Sequence, residues 1–190
     1  MAEQLEILDV RIGAPRAAKF TATQQRLDVA IEVRNNSKST LHVISSVRSL
    51  DFDPATQTLS VGLSEPEPQR EIKPLQFLEP HTVTVAPRQT ATLEVSVPLV
   101  IRKVVPSSKM GLGLENLDVS GVQNVKCQIA FSSKPFYPKS ADSAEHMFRE
   151  LRAWGTKTEK TLPRTVSSDA TNHNAEHHAK RRRKPGQKES

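Results

Sequence analysis

Five groupings of side chains in this 190-residue chain have residue types and spacings that chemistry uses. His173-Asn174-Ala175-Glu176-His177 has the form H-x-x-E-H, in which two imidazoles one helical turn apart hold zinc and the glutamate activates water. That chemistry needs a rigid helix packed beside a third ligand. Between Val166 and Ser190, however, no apolar residue is larger than alanine. The segment therefore reads as a solvated linker, with His173, His177 and His178 available to a soft divalent metal only adventitiously. Asp51 and Asp53 lie two apart, so in a strand both carboxylates face one side, as an acid/base pair or hard-cation site would require. No further carboxylates cluster near them in sequence, and Asp53 is explained by the turn before Pro54. Cys127 alternates with Val125, Ile129 and Phe131, the pattern of a small buried hydrophobe rather than a nucleophile. Gly111-Leu112-Gly113-Leu114-Glu115-Asn116 has two glycines of a phosphate-binding loop but Asn116 in place of the third, and reads as a flexible turn.

The fifth grouping is Lys180-Arg181-Arg182-Arg183-Lys184. Five adjacent cations attract polyanions weakly, in a salt-sensitive and sequence-blind manner, by releasing counterions. No aromatic residue follows Trp154, so the run has no platform for stacking bases. It serves equally as a solubilising terminus. These residues leave no catalytic or metal site assigned, and no cofactor is implied.

Such side chains must be positioned by the segments between them. Two-residue periodicity is the clearest signal. Leu27, Val29, Ile31 and Val33 alternate with Asp28, Ala30, Glu32 and Arg34. A second face is Leu93, Val95, Val97, Leu99 and Ile101, and a third is Val125, Cys127, Ile129 and Phe131. Weaker strands are expected at Leu5–Ile12, Leu41–Val47, Leu59–Leu63 and Thr82–Val85, the first with a change of phase between Ile7 and Leu8 that a bulge would produce. Turn chemistry separates them: Asn35-Asn36-Ser37-Lys38 as a hairpin-like link, Asp53-Pro54-Ala55-Thr56, and Ala86-Pro87-Arg88-Gln89. Residues 64–80, with Pro66, Pro68, Pro74 and Pro80, are expected to be irregular. Residues 102–121, with Pro106 and three glycines, are expected to form a long connection. Helical spacing takes over at 140–154, with Asp142 and Glu145 placed to cap the start and Gly155 to end it. Its stripe of Met147, Phe148, Leu151 and Trp154 is expected to dock on its own sheet. The alternative is a partner-binding anchor of Phe148, Leu151 and Trp154.

Composition sets the domain limits. Residues 1–138 hold 56 of the 68 apolar residues, enough for one core, and carry a net charge of +1. Residues 180–190 carry +5 of the total +6, so the globule is nearly neutral and its tip basic. The expected division is a β-sandwich over 1–138, a packed helix over 139–155, and a disordered linker and basic tail over 156–190. One cysteine, no signal-like N-terminus and no transmembrane segment suggest a cytoplasmic protein, or a nuclear one in a nucleated cell. Asn35-Asn36-Ser37 matches a glycosylation acceptor that, without export, never meets its enzyme.

An alternating strand, Asn-Asn-Ser, another strand, and then Val-Ala-Pro-Arg-Gln-Thr-Ala-Thr-Leu-Glu-Val resembles the loose immunoglobulin-like or fibronectin-like modules of bacteria over residues 25–101. The immunoglobulin cysteine pair is absent. The resemblance implies an all-β, antiparallel sandwich and no particular activity. The expected function is a non-catalytic module that binds a protein partner through loops 64–80 and 102–121, while Lys180–Lys184 adds attraction to nucleic acid or another anionic surface. The competing classes are a metal-assisted hydrolase using Asp51, Asp53 or the histidine segment, and an intracellular protease inhibitor acting through an exposed loop.

Overall fold

Segments that bury every second side chain can satisfy their backbone only by pairing edge to edge. In the computed structural model, which describes residues 4–18, 21–68, 76–107, 111–137 and 143–166, they do so as a mostly-β chain. The strands are β1 (Leu5–Ile12), β2 (Arg16–Ala18), β3 (Thr21–Asn35), β4 (Leu41–Ile44), β5 (Ser49–Asp53), β6 (Thr58–Leu63), β7 (Thr82–Val85) and β8 (Thr90–Pro98). They continue with β9 (Val100–Ser107), β10 (Gly111–Asp118), β11 (Asn124–Ser132), helix α1 (Ala144–Ala153), β12 (Thr156–Pro163) and β13 (Thr165–Val166).

Two larger sheets share one core. The long β3 pairs with β1 and β2 on one edge and with β8 on the other, and β13 extends the β1 edge. In the second sheet β11 is central: β12 pairs along one edge, and β6 and then β4 pair on the other, with β5 and β7 outside them. Leu27, Val29, Ile31, Val33, Leu93 and Val97 of the first sheet and Leu59, Val61, Leu63, Val125, Cys127 and Ile129 of the second belong to the same buried cluster. Each side chain withdrawn from water there contributes about 1.5–3 kcal/mol. The phase change in β1 is a bulge: register shifts between Ile7 and Asp9, so Leu5, Ile7, Val10 and Ile12 all face inward. The carbonyl of Ile7, at the bulge, accepts a hydrogen bond from Lys160 Nζ at 2.8 Å and ties β12 to β1.

Asn35 holds the two passages between the sheets. It is fully buried, and its Nδ2 donates to the carbonyls of Ser39 and Val85 at 2.8 and 2.9 Å. Its Oδ1 accepts from the backbone N–H and hydroxyl of Ser37. The main chain of Asn35 also bonds that of Arg88 and Gln89, so the link 36–40 and the link 86–89 are fastened together. Asn35-Asn36-Ser37-Lys38 is therefore a corner from one sheet to the other and not the expected hairpin-like link.

Several other expectations are corrected. The sheets are not purely antiparallel: β6 runs parallel to β11 and β13 parallel to β1. The run ending at Ile101 breaks at Leu99, and Ile101 belongs to β9. Residues 102–121 are no irregular connection, because β9 and β10 form a two-stranded antiparallel sheet from Val100↔Asp118 to Ser107↔Gly111. The disordered segment expected from residue 156 does not begin there: Thr156–Pro163 pairs along β11, and 165–166 pair with β1. The helix is capped by Ser143, whose hydroxyl accepts from the N–H of His146; Asp142 lies outside the described residues. Asp53-Pro54-Ala55-Thr56 does form the β5–β6 turn, with Asp53 accepting from the Ala55 N–H and the Thr56 hydroxyl. No helix among the described residues is long and apolar enough to cross a membrane.

Candidate functional site

The residues singled out for chemistry are dispersed by the fold. Both oxygens of Asp51 accept from Lys103 Nζ, at 2.8 and 3.1 Å, and this contact raises the lysine's pKa. Asp53 is engaged in its own turn, where the Thr56 hydroxyl and then the Ala55 N–H hold its carboxyl below the usual range. The Cys127 thiol is buried in the core, and burial pushes its pKa up to about 12, where almost none is the nucleophilic thiolate at neutral pH. Among the described residues no three of His, Cys, Asp or Glu converge as a metal site would require. His173, Glu176, His177, His178 and Lys180, Arg181, Arg182, Arg183 and Lys184 lie outside the described residues.

Two surfaces remain, and the first is the seat of α1. Phe148, Leu151 and Trp154 pack on this chain's own body. Leu151 is buried, and Phe148 sits edge-on to Phe77 with ring centroids 5.1 Å apart. Trp154 meets Phe136 at 6.1 Å and donates its indole N–H to the carbonyl of Lys134. Beneath the helix lies an ion pair that the sequence did not advertise. Arg48 Nε donates to one oxygen of Glu65 at 2.9 Å, Nη2 lies 2.8 Å from the same oxygen as an ion-pair contact, and both side chains are only 10% exposed. The guanidinium also bonds the Leu78 carbonyl and lies 5.9 Å from the ring centres of Phe77 and Phe148. The cation is thus neutralised by a carboxylate and covered by aromatic faces. Leu78 and Tyr137 are the exposed apolar residues at this end.

The second surface is the β9–β10 hairpin. Alternation gives it two unlike faces. Ile101 and Leu117 are opposite one another on the inward face and anchor the hairpin in the core, with Lys103 opposite Glu115 on the same face. Outward, Val104 is directly opposite Leu114, and they are 60% and 70% exposed. Val100, Arg102, Asn116 and Asp118 complete that face. Its alternation was present in the sequence, but Pro106, Gly111 and Gly113 masked it as a loop. Arg48 and Glu65, by contrast, stand in serine- and proline-rich stretches with no periodicity to mark them.

No protein-family model, no curated protein and no solved structure matches the chain.

Proposed function

We propose that this chain is a non-catalytic interaction module: an immunoglobulin-like sandwich that presents the β9–β10 hairpin, together with the flank of the 64–80 segment, to a protein partner. The single observation that carries the reading is the exposed cross-strand pair Val104 and Leu114. Two aliphatic side chains left in water at the outer end of a hairpin cost solvation free energy, which a partner surface recovers. The buried, protonated Cys127 and the engagement of Asp51 with Lys103 support a non-catalytic reading. The run Lys180–Lys184 adds weak, salt-sensitive attraction to an anionic partner.

Affinity capture with the intact chain, with Val104→Lys/Leu114→Lys, and with residues 180–190 removed tests each part. A protein captured in stoichiometric amount by the intact chain should be lost on the double substitution while the melting temperature falls by no more than about 4 °C, the cost of two like charges opposite one another across the hairpin. Removal of the tail should abolish only salt-sensitive retention on an immobilised polyanion. The same proteins captured by both hairpin forms would refute the assignment of the hairpin.

A further inference from the structure

Strand edges differ in how openly they offer their backbone. A long edge is normally blunted by lysine, proline, a bulge or shortness. Here β5 and β7 are short, and β2 and β13 shorter still. Proline ends or interrupts β8 at Pro98, β9 at Pro106 and β12 at Pro163, and β12 adds Lys157 and Lys160. By contrast β10, eight residues long, contains neither proline nor lysine and pairs regularly with β9. Its other edge has no strand partner among the described residues.

We propose that this free edge, Gly113–Asp118, accepts an extended segment of a partner protein as an added strand, and that the segment alternates apolar with basic side chains. The proposal rests on the interaction-module reading and names the partner's chemistry. Backbone pairing supplies affinity in such complexes, and alternate side chains supply selectivity. On the outward face an apolar residue of the incoming strand lies beside Leu114 and extends the Val104–Leu114 row to three strands. On the inward face the neighbour is Glu115, which is exposed. The cation opposite it, Lys103, is held by both oxygens of Asp51, so a basic residue from the incoming strand meets a carboxylate that is incompletely neutralised. Asp118, at the base of the outward face, gives β10 a second acidic residue and no basic one. A second copy of this chain fits poorly for the same reason. Pairing β10 with itself brings both acidic residues of each copy into one short ladder, with nothing to offset them. The chain's own Lys180–Lys184 run lacks the apolar alternation.

The probe is a blocked peptide of about eight residues alternating valine and lysine, added to the isotopically labelled full chain, with a valine–glutamate peptide as the counterpart. Binding of the lysine peptide should slow hydrogen exchange at every second amide of 113–118, those turned away from β9. The glutamate peptide should bind at least about tenfold more weakly. Glu115→Lys should weaken the lysine peptide about fivefold while the melting temperature falls by no more than about 4 °C, the cost of a second cation opposite Lys103. If the shifts are confined to the Val104 and Leu114 methyl groups, with no alternating amide protection, docking is on the face, and the edge proposal falls while the module reading stands. No binding of the lysine peptide, or sedimentation of the unliganded chain as a dimer through β10, overturns the edge proposal too. The module reading is then decided separately by the Val104→Lys/Leu114→Lys capture.

Discussion

Replacement of Glu65 by alanine should be among the most damaging single changes to the seat of α1. The substitution leaves the Arg48 guanidinium beneath the helix without its counter-ion. A charge-assisted hydrogen bond at 2.9 Å and an ion-pair contact at 2.8 Å disappear together. Breaking a buried pair by removing one partner costs about 3–5 kcal/mol. The lower end applies here, because Arg48 keeps its bond to the Leu78 carbonyl at 3.0 Å and its place 5.9 Å from the Phe77 and Phe148 rings. A loss of about 3 kcal/mol corresponds to a fall of about 6–12 °C in melting temperature for a domain of this size. Urea titration should show a lower midpoint with an unchanged slope. Arg48→Met should also destabilise, since it strands the carboxylate. Against the single variants Arg48→Met and Glu65→Leu, the double variant Arg48→Met/Glu65→Leu, which removes both charges and keeps the volume, should recover most of the loss, giving a coupling of at least about 2 kcal/mol. Amide exchange in α1 should accelerate in Glu65→Ala, because Phe148 packs against the same cation. Single losses below about 1 kcal/mol that add in the double variant would refute the claim that this pair fastens the helix.

Two further perturbations probe the interior. Asn35→Ala removes a buried amide whose four hydrogen bonds serve both sheet corners; it should cost about 2–4 kcal/mol by urea titration, and a loss within 0.5 kcal/mol would deny it that role. In the folded protein Cys127 should resist a thiol reagent at about pH 8 and react at the rate of global opening in denaturant, because its thiol titrates only near 12; rapid native labelling would contradict the burial.

Strands with one wet and one dry face were legible before any coordinates, because burial imposes a period of two. Leu27 to Val33 and Val125 to Phe131 are of this kind, and even the bulge of β1 was visible as a change of phase. Where both faces meet water the signal vanishes. In Thr156–Pro163 Thr158 is the one buried residue, so the strand is specified by its ladder along β11 and by lysines that reach across it. Strand direction was equally hidden: the parallel pairing of β6 with β11 joins segments 66 residues apart and leaves no local mark. The exposed Val104 and Leu114 became a surface only once the β9–β10 register placed them opposite each other.

The same strand carries cations whose hydrogen bonds bear on any attraction to anions. Thr156–Pro163 and its sequel hold three cations against one acid, yet these are already committed. Lys157 donates to the carbonyl of Glu65, Lys160 to that of Ile7, and Arg164 to that of Val122, while Glu159 pairs with Lys126. A phosphate that drew them off these carbonyls would break the contacts joining β12 to β1 and to the ion-pair loop, whereas one bound by their remaining N–H donors would leave the contacts in place. A neutral carbonyl orients each cation without cancelling its charge, so the polyanion attraction proposed for Lys180–Lys184 is decided by removal of the tail. The net charge is +1 over residues 1–138 and +5 over 180–190. Polyanion binding that survives loss of the tail would assign the attraction to cations of the body, such as the exposed Lys157 and Lys160, and refute the role proposed for Lys180–Lys184.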